Sequence, residues 1–262
     1  MHEIGSGNVK LEVADNRAEV WLNRPEKRNA MNEALLSDLR AALEEVEADD
    51  DVRAMVLLGE GPVLSAGMDL EMMRERGEED SPEMETSLDD VTHFIEGMTT
   101  PSVAAIEGAA VAGAFELVLP VDFRIIAEDA SYGLLEVTLG VFPSGGGTQR
   151  LPRLVGLSKA KEIVLTGDLI DPQEAADCNL VHEVVAPDEV APTAREWADN
   201  LAENAPLGME AARELLNTAL DVPLEQGLEL ESARGARLVE TDDYTEGFTA
   251  RLEGREPEFE GK

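Results

Sequence analysis

Cysteine, aromatic residues and positive charge are all scarce in this sequence of 262 residues. The single cysteine, Cys178, excludes an intrachain disulfide. Basic residues number 21 against 56 acidic ones, which gives a formal net charge of −35 at pH 7. So large an excess of negative charge argues against nucleic acid or an anionic membrane as a partner.

The sequence also shows no metal-ligand motif, signal peptide or membrane-spanning segment. Its three histidines, His2, His93 and His182, are far apart and lack metal-ligand spacing. The first residues have neither the basic nor the apolar region of a signal peptide. The longest apolar region, from Val111 to Ile126, is interrupted by charged residues and a proline, so it cannot cross a bilayer. We therefore expect a cytoplasmic protein without a metal site.

The acidic residues are spread along the whole chain rather than gathered in a tail. They stand between apolar residues, as in Leu43–Val46 and Leu228–Leu230, whereas an acidic tail is a block of like charge. The basic residues comprise five lysines and sixteen arginines. Concentrated salt screens charge over a few ångströms and removes the self-repulsion of such a surface. The composition therefore predicts a protein adapted to high salt.

The order of predicted strands and helices indicates an α/β fold. Apolar and polar residues alternate from Val9 to Val13 and from Ala18 to Leu22, which predicts a hairpin. A helix capped by Asn32 should follow, because apolar residues then recur every three or four positions. Further strands are predicted at Ala54–Leu58, Val103–Ile106 and Phe123–Ala127. Such alternation favours parallel pairing, with ligands bound beyond the carboxyl ends of the strands.

Two regions depart from this alternation of strands and helices. The segment from Arg74 to Asp90 is too polar to bury a face, so we expect a mobile surface segment there. From Thr193 onward the pattern is helical without intervening strands. This second region predicts a helical appendage at the C-terminal end.

Two glutamates stand out because small and apolar residues surround each of them. The turn Gly108–Ala114 leads into a short apolar helix that carries Glu116, and Glu136 follows in another apolar segment. Burial raises the pKa of a carboxyl group, so a buried pair can act as acid and base near neutral pH. The alternative is that each is a partly exposed position in a very acidic protein. Spacing alone leaves both interpretations open.

Glycine-containing turns supply candidate N–H donors near these glutamates. A helix beginning at Gly113 presents unpaired N–H groups and a positive dipole end to a negatively charged ligand. The loop through Gly67 is either a second donor or, by default, an ordinary turn in which Asp69 caps a helix. The run Gly145–Gly147 lacks the lysine of a phosphate-binding loop and is interpreted as a turn. Donors beside two carboxyl groups suit chemistry through an enolate.

Four segments together resemble the enoyl-CoA hydratase and isomerase family, the crotonase superfamily. They are Leu22–Met31, Leu64–Leu70, Gly108–Leu117 and Gly140–Arg150, and the end of the chain, Leu252–Lys262, is similar as well. The resemblance thus covers nearly the whole chain. It implies a crotonase-like spiral of repeated ββα units in residues 1–196. Residues 197–262 would form a C-terminal helical region that builds homotrimers, commonly paired into hexamers.

The same resemblance implies a role for each residue of the candidate site. The backbone N–H groups of Met68 and Gly113 would form an oxyanion hole for the thioester carbonyl oxygen. Glu116 would be the base that activates water, and Glu136 the acid that delivers a proton to the α-carbon. The implied contacts with CoA come from Arg24, Lys27, Arg28, Ala30, Ser65, Ala66, Asp69 and Leu70. No cofactor is implied, because CoA is part of the substrate.

Three departures from the family pattern are visible in the sequence. Glu71 and Met72 stand where members often carry a basic residue, which removes one expected contact with a CoA phosphate. Ala112 and Ala114 replace glycines of the turn, and they are expected to tighten the pocket. Phe115 is larger than the usual residue at its position, and its ring is expected to narrow the choice of acyl group.

The function that the resemblance implies is that of an enoyl-CoA hydratase, as in fatty acid β-oxidation. Such an enzyme adds water across the double bond of a trans-2-enoyl-CoA and gives a 3-hydroxyacyl-CoA. A Δ3-Δ2-enoyl-CoA isomerase is the first alternative, but it typically relies on the second acid alone, here Glu136. Other crotonase-type acyl-CoA reactions and a non-catalytic acyl-CoA-binding scaffold are further alternatives.

Overall fold

The computed structural model describes residues 1–76 and 84–262. The strands are β1 (His2–Ile4), β2 (Val9–Ala14), β3 (Arg17–Leu22), β4 (Ala54–Gly59), β5 (Ser102–Ile106), β6 (Ala109–Val111), β7 (Phe123–Ala127), β8 (Ser131–Gly133) and β9 (Glu183–Val185). The helices are α1 (Glu33–Ala48), α2 (Leu70–Glu75), α3 (Leu88–Gly97), α4 (Gly113–Val118), α5 (Gly147–Thr166), α6 (Pro172–Asp177), α7 (Val190–Ala202), α8 (Pro206–Thr218), α9 (Leu224–Leu238) and α10 (Asp242–Glu253). Short 3₁₀ helices lie at Pro25–Lys27, Glu136–Leu139 and Pro187–Glu189.

The main sheet has seven strands in the order β1-β2-β3-β4-β5-β7-β9. The first three strands pair antiparallel, and β2 and β3 form the predicted hairpin with Val9 opposite Leu22. From β3 to β9 all pairs are parallel, with helices in the connections. Strands β6 and β8 form a small second sheet of one parallel pair. The predicted α/β fold and its parallel pairing are confirmed.

Helix α1 begins where the sequence predicts it. The side chain of Asn32 accepts a hydrogen bond from the Leu35 N–H at 2.9 Å, which is an N-cap. The helix packs on β2, β3 and α3, and it buries leucines at intervals of three and four residues, among them Leu35, Leu39 and Leu43. Each fully buried leucine contributes about 2 kcal/mol of transfer free energy. This packing fixes the helix on the sheet.

The loops that follow β4 and β5 run together at the carboxyl ends of those parallel strands. The Leu64 N–H donates to the Glu107 carbonyl at 2.9 Å, and the Ser65 N–H donates to the Ala109 carbonyl at 3.0 Å. These bonds continue the pairing of β4 with β5 beyond the sheet. The loop from β4 therefore reaches the turn that precedes α4, as expected for a ligand site in an α/β fold.

The acidic segment Arg74–Asp90 is ordered at both of its ends. Arg74 belongs to α2, and α3 begins at Leu88 under a capping box made by Ser87 and Asp90. Leu88 is buried, so the prediction of a mobile surface segment is wrong at this end. The capping box fixes the start of α3, and the helix also buries Val91, Thr92 and Ile95. The remaining part of that prediction, residues 77–83, lies outside the described residues.

The C-terminal part of the chain is helical, as predicted. Helix α7 packs on β4, β5 and β7, and α8 and α9 pack on each other. The predicted boundary between the spiral core (residues 1–196) and the C-terminal helical region (residues 197–262) falls within α7 and stays a prediction. No helix in the described part of the chain has the length and hydropathy of a bilayer-spanning segment.

Candidate active site

The turns at Gly67 and Gly113 lie against each other, although 46 positions separate them in the sequence. Gly67 has a φ of +91°, and a Cβ atom built on it would lie 2.7 Å from the Val111 carbonyl oxygen and 3.5 Å from the Gly113 nitrogen. A Cβ atom on Gly113 would lie 3.0 Å from Cγ of Met68. Only glycine at position 67 permits this approach. The Gly67 loop is also the turn in which Asp69 caps α2, as the default interpretation expects, and its role as a second donor stays a prediction.

Two backbone N–H groups of these turns have no acceptor among the described residues. Met31 pairs with both neighbours of Met68, because its N–H donates to Gly67 and its carbonyl accepts from Asp69. The N–H of Met68 thus points away from Met31, and it donates to none of the described residues. Gly113 is the first residue of α4, so its N–H has no partner within the helix. Across residues 1–76 and 84–262 we find no acceptor for it either.

Ala112 holds a strained backbone conformation next to this pair of donors. Its φ of 52° and ψ of −124° lie in a region that residues other than glycine rarely adopt. Such a conformation costs on the order of 1–3 kcal/mol and persists only where the surroundings impose it. Here the Ala112 N–H donates to the Gly133 carbonyl at 2.8 Å, which ties the turn to β8. The strained conformation of Ala112 therefore sets the orientation of the peptide bond that carries the N–H of Gly113.

The Glu116 side chain lies on α4 and is only 3% exposed. Its Oε1 accepts a hydrogen bond of 2.9 Å from the N–H of Gly147 at the start of α5. Burial raises the pKa of Glu116 from its ordinary value of 4.5 to about 7. The Gly147 N–H opposes that rise, and Glu136 adds to it when it is ionised. Glu116 is thus half ionised near neutral pH.

Glu136 is the first residue of the 3₁₀ helix Glu136–Leu139 and is 8% exposed. Neither of its carboxylate oxygens has a hydrogen-bond partner among the described residues. Burial raises the pKa of this carboxyl group as well. Burial thus favours the protonated form of both carboxyl groups. Two buried glutamates with raised pKa values can act as acid and base closer to neutral pH than exposed ones.

Glycine at position 147 contributes to the site in a way that sequence reasoning missed. A Cβ atom there would lie 2.9 Å from Oε1 of Glu116 and 2.9 Å from Cβ of Pro143. A Cβ atom on Gly145 would lie 3.1 Å from Oε2 of the same glutamate. The run Gly145–Gly147, interpreted as a plain turn, is a cradle for the Glu116 carboxylate. The missed signal was three consecutive glycines directly before a long helix.

The predicted cluster of cations at Arg24, Lys27 and Arg28 is partly neutralised. Arg24 forms an ion pair of 2.7 Å with Asp69 and donates to the Ala30 carbonyl at 2.9 Å. The hydrogen bond from Arg24 holds the pKa of Asp69 below the ordinary value. Lys27 forms an ion pair with Glu71, in which its Nζ lies 3.6 Å from Oε2. Arg28 is exposed and forms no ion pair with a described residue.

The other residues predicted to contact CoA differ in accessibility. Ser65 is fully buried, and its hydroxyl donates to the Asn29 carbonyl at 2.7 Å. The Ala66 N–H donates to the Arg28 carbonyl at 2.9 Å. Leu70 begins α2 and is exposed. Ser65 and Ala66 thus join the loop after β4 to the loop that carries the cations.

The expectation that Phe115 narrows an acyl pocket is wrong. Its side chain is fully buried, and its ring lies 4.3 Å from the ring of Tyr132 on β8. Phe115 and Glu116 are neighbours on a short helix, so they point to different faces of it. The aromatic ring faces the core and has no surface that a ligand could touch.

Comparison with known proteins gives one consistent family. The family described as enoyl-CoA hydratase/isomerase matches residues 12–262. A probable enoyl-CoA hydratase of Bacillus subtilis is 39% identical over 97% of this chain and 99% of its own length. A crotonyl-CoA hydratase of Syntrophomonas wolfei is 34% identical over 97% of this chain and 98% of its own. The crystal structure of an enoyl-CoA hydratase from Bacillus anthracis has a TM-score of 0.90 and 35% identity, covering 97% and 100% of the two chains.

Proposed function

The chain belongs to the enoyl-CoA hydratase/isomerase family, and we propose that it adds water to a trans-2-enoyl-CoA to give the 3-hydroxyacyl-CoA. The proposal rests on the combination of two kinds of group in one protein. Glu116 and Glu136 are buried and have raised pKa values, and the N–H groups of Met68 and Gly113, in two adjacent turns, have no acceptor among the described residues. Hydration needs all of these groups, because it moves a proton at two atoms and forms an oxyanion.

The reaction proceeds by addition and then protonation. The ionised Glu116 takes a proton from water, and the water oxygen forms a bond to the β-carbon of the substrate. The electron pair of the double bond moves toward the thioester, whose oxygen becomes an enolate held by the N–H groups of Met68 and Gly113. Protonated Glu136 then gives its proton to the α-carbon. Exchange with solvent restores both glutamates, and dehydration is the reverse sequence.

Hydration of crotonyl-CoA tests this proposal directly. Turnover is followed by the loss of absorbance of the conjugated thioester in molar KCl. The variants Glu116→Gln and Glu136→Gln should each lose at least about 10²-fold in kcat, since general acid–base catalysis is worth 10²–10⁴-fold. Product formed in oxygen-18 water must carry the label. Turnover without label would favour an isomerase, and full activity of both variants would reject the assignment.

The oxyanion hole has its own test at Gly113. The variant Gly113→Pro removes one N–H, and loss of one such donor costs about 10²–10³-fold in kcat. The matched variant Gly113→Ala keeps the N–H and places its Cβ atom near the flexible side chains of Met68 and Leu88. Gly113→Ala should therefore retain most of the activity. Equal activity of the two variants would contradict the proposed role of the N–H.

Binding of the CoA phosphates falls mainly to Arg28 in this proposal. Arg28 is exposed and forms no ion pair with the described residues, whereas Arg24 and Lys27 already face carboxylates. A guanidinium group binds a phosphate through two parallel hydrogen bonds. Lys27 would reach the same phosphates only by leaving Glu71. The other CoA contacts implied by the resemblance, at Ala30, Ser65, Ala66, Asp69 and Leu70, belong to this proposal as well.

A homotrimer, alone or paired into a hexamer, is part of the same proposal. Apolar side chains on the C-terminal helices and in the turn between α8 and α9 are 41% to 88% exposed, namely Leu216, Leu220, Leu224, Leu228, Leu230, Tyr244, Phe248 and Leu252. So much exposed apolar surface on three consecutive helices is typical of an interface. Sedimentation equilibrium should give three or six times the 28.3 kDa of the chain. A monomer at all concentrations would reject the homotrimer.

Adaptation to high salt is also part of the proposal and is supported by the net charge of −35.

A further inference from the structure

Arg150 lies on α5, directly behind the glycine turn that holds Glu116. Its guanidinium group binds Glu96 of α3 through two hydrogen bonds, Nε to Oε1 at 3.3 Å and Nη2 to Oε2 at 2.9 Å. The Nη1 atom of the same group donates to the Gly145 carbonyl at 3.1 Å and to Oγ1 of Thr92 at 3.2 Å. Thr92 in turn donates to the Gly145 carbonyl at 3.2 Å.

The turn is shaped around this guanidinium group. Gly146 has a φ of +102°, and a Cβ atom on it would collide with Nη1 of Arg150. Cβ atoms built on Gly145 and Gly147 would point to the opposite side of the turn, where they would approach the carboxylate of Glu116. One face of a three-residue turn therefore contacts the arginine, and the opposite face holds the glutamate. Movement of the arginine would move the N–H of Gly147 that binds Glu116.

We propose that Arg150 is a positioning residue that fixes the Gly145–Gly147 turn and thereby orients the Glu116 carboxylate for catalysis. This proposal rests on the proposed hydratase function. Arg150 does not itself contact Glu116. Its side chain is 14% exposed and makes hydrogen bonds to α3 and to the turn, so it joins α3, α5 and the turn.

The charge of Arg150 acts on Glu116 in addition to its hydrogen bonds. The described charged groups that act on Glu116 are Arg150, which favours the ionised form, and Glu136, which disfavours it. Glu96 offsets part of the positive charge of Arg150. Loss of the arginine charge should therefore shift the ionisation of Glu116 to higher pH. A purely structural arginine elsewhere on α5 would not have this effect.

Two variants of Arg150 separate the contributions of its charge and of its hydrogen bonds. In Arg150→Gln both the charge and the paired hydrogen bonds to Glu96 are lost, so kcat should fall by about 10–100-fold with little change in KM. The acid limb of the pH profile of kcat/KM should move to higher pH by about 0.3 or more. Arg150→Lys keeps the charge without the planar fork, so kcat falls while the acid limb stays in place.

Arg153→Gln is the matched control for these measurements. Arg153 lies on the same helix, forms an ion pair with Asp221 at 3.1 Å and is 48% exposed. It contacts neither the glycine turn nor either glutamate, so its variant should have wild-type kcat, KM and pH profile. Unfolding of each variant, followed by circular dichroism, verifies that it is folded under the assay conditions.

The outcomes separate this proposal from the proposed function. If the wild type does not hydrate crotonyl-CoA, the function fails, and titration of the carbon-13-labelled Glu116 carboxyl in wild type and Arg150→Gln still tests the arginine. If the wild type is active and Arg150→Gln keeps its kcat and its acid limb, the positioning role is wrong. If Arg150→Gln does not fold, Arg150→Lys decides, because it keeps the charge but loses the planar fork that binds Glu96 and the Gly145 carbonyl. Unchanged kcat in that variant would overturn the proposal.

Discussion

Replacement of Glu116 by glutamine should remove activity and stabilise the folded protein above pH 7. The Glu116 side chain is 3% exposed, and burial is the largest cause that raises its pKa from 4.5 to about 7. One pKa unit corresponds to about 1.4 kcal/mol. Ionising this carboxyl group in the folded protein therefore costs about 3 kcal/mol more than ionising it in the unfolded chain. Glutamine has nearly the same shape and no charge to desolvate.

The gain in stability depends on pH with a defined sign. Well below pH 4.5 the carboxyl group is protonated in both states, so the wild type has no ionisation cost. Between pH 4.5 and 7 the unfolded chain releases this proton first, and the wild type loses stability progressively. Above pH 7 the loss is constant. The glutamine Oε1 can keep the bond from Gly147, but its NH₂ group lacks an acceptor, which costs about 1 kcal/mol. We expect a net gain of about 2 kcal/mol at pH 8.

Urea unfolding at pH 5 and pH 8 measures this gain. KCl and protomer concentration are held fixed, because assembly and screening also change the free energy of unfolding. Glu44→Gln is the control, since Glu44 is 55% exposed and forms an i,i+4 ion pair with Arg40. That variant should change stability by less than about 0.5 kcal/mol at either pH. An equal change for Glu116→Gln at both pH values would refute the reasoning.

Two further predictions concern the backbone of the turn and the surface charge. Ala112→Gly should raise the free energy of unfolding by about 1 kcal/mol, because φ is +52° there. Ala114→Gly, two residues on in regular helix, should lower it by about 1–2 kcal/mol; the same sign for both would contradict the assigned strain. The melting temperature should rise between dilute buffer and molar KCl, because screening reduces repulsion among the 56 acidic residues. A flat or falling melting temperature would reject salt adaptation.

The sequence predicts those features of the fold that depend on neighbouring residues. Asn32 caps α1 through a residue three positions away, and the hairpin of β2 and β3 closes over two residues. Alternation and capping are local signals, so they are legible without a structure. The family resemblance added the pairing of distant residues, such as Met68 with Gly113, that no local pattern contains.

Other parts of the site were out of reach because they depend on tertiary contacts. Gly147 binds a carboxylate 31 positions earlier in the chain, and nothing in its own neighbourhood indicates that partner. Arg24, whose contact with CoA stays a prediction, pairs with Asp69, 45 positions away. In so acidic a chain nearly every cation has several carboxylates within reach. Which of them it chooses is decided by the packing of loops and not by their sequence.

Two buried arginines outside the site, Arg124 and Arg213, have hydrogen-bond partners for their guanidinium groups. Arg124 is buried on β7, and its guanidinium group donates to the carbonyl groups of Val118, Leu119, Val121 and Leu180. It thereby satisfies the C-terminal end of α4, the helix that carries Glu116. Arg213 does the same for α3, donating to the carbonyl groups of Ile95, Glu96 and Met98 and pairing with Asp122.

Glu136 has none of this compensation, because both of its buried oxygens lack a partner among the described residues. Ala112 adds a strained backbone and Glu116 a buried carboxyl group with a raised pKa. Each of these features opposes folding by an amount on the order of 1–3 kcal/mol. A fold that pairs its other buried carboxylates would gain stability by pairing this one too. The unfavourable terms are concentrated on α4 and the turns around it, which is where the proposed hydration would use an unpaired acid, a base and two N–H donors.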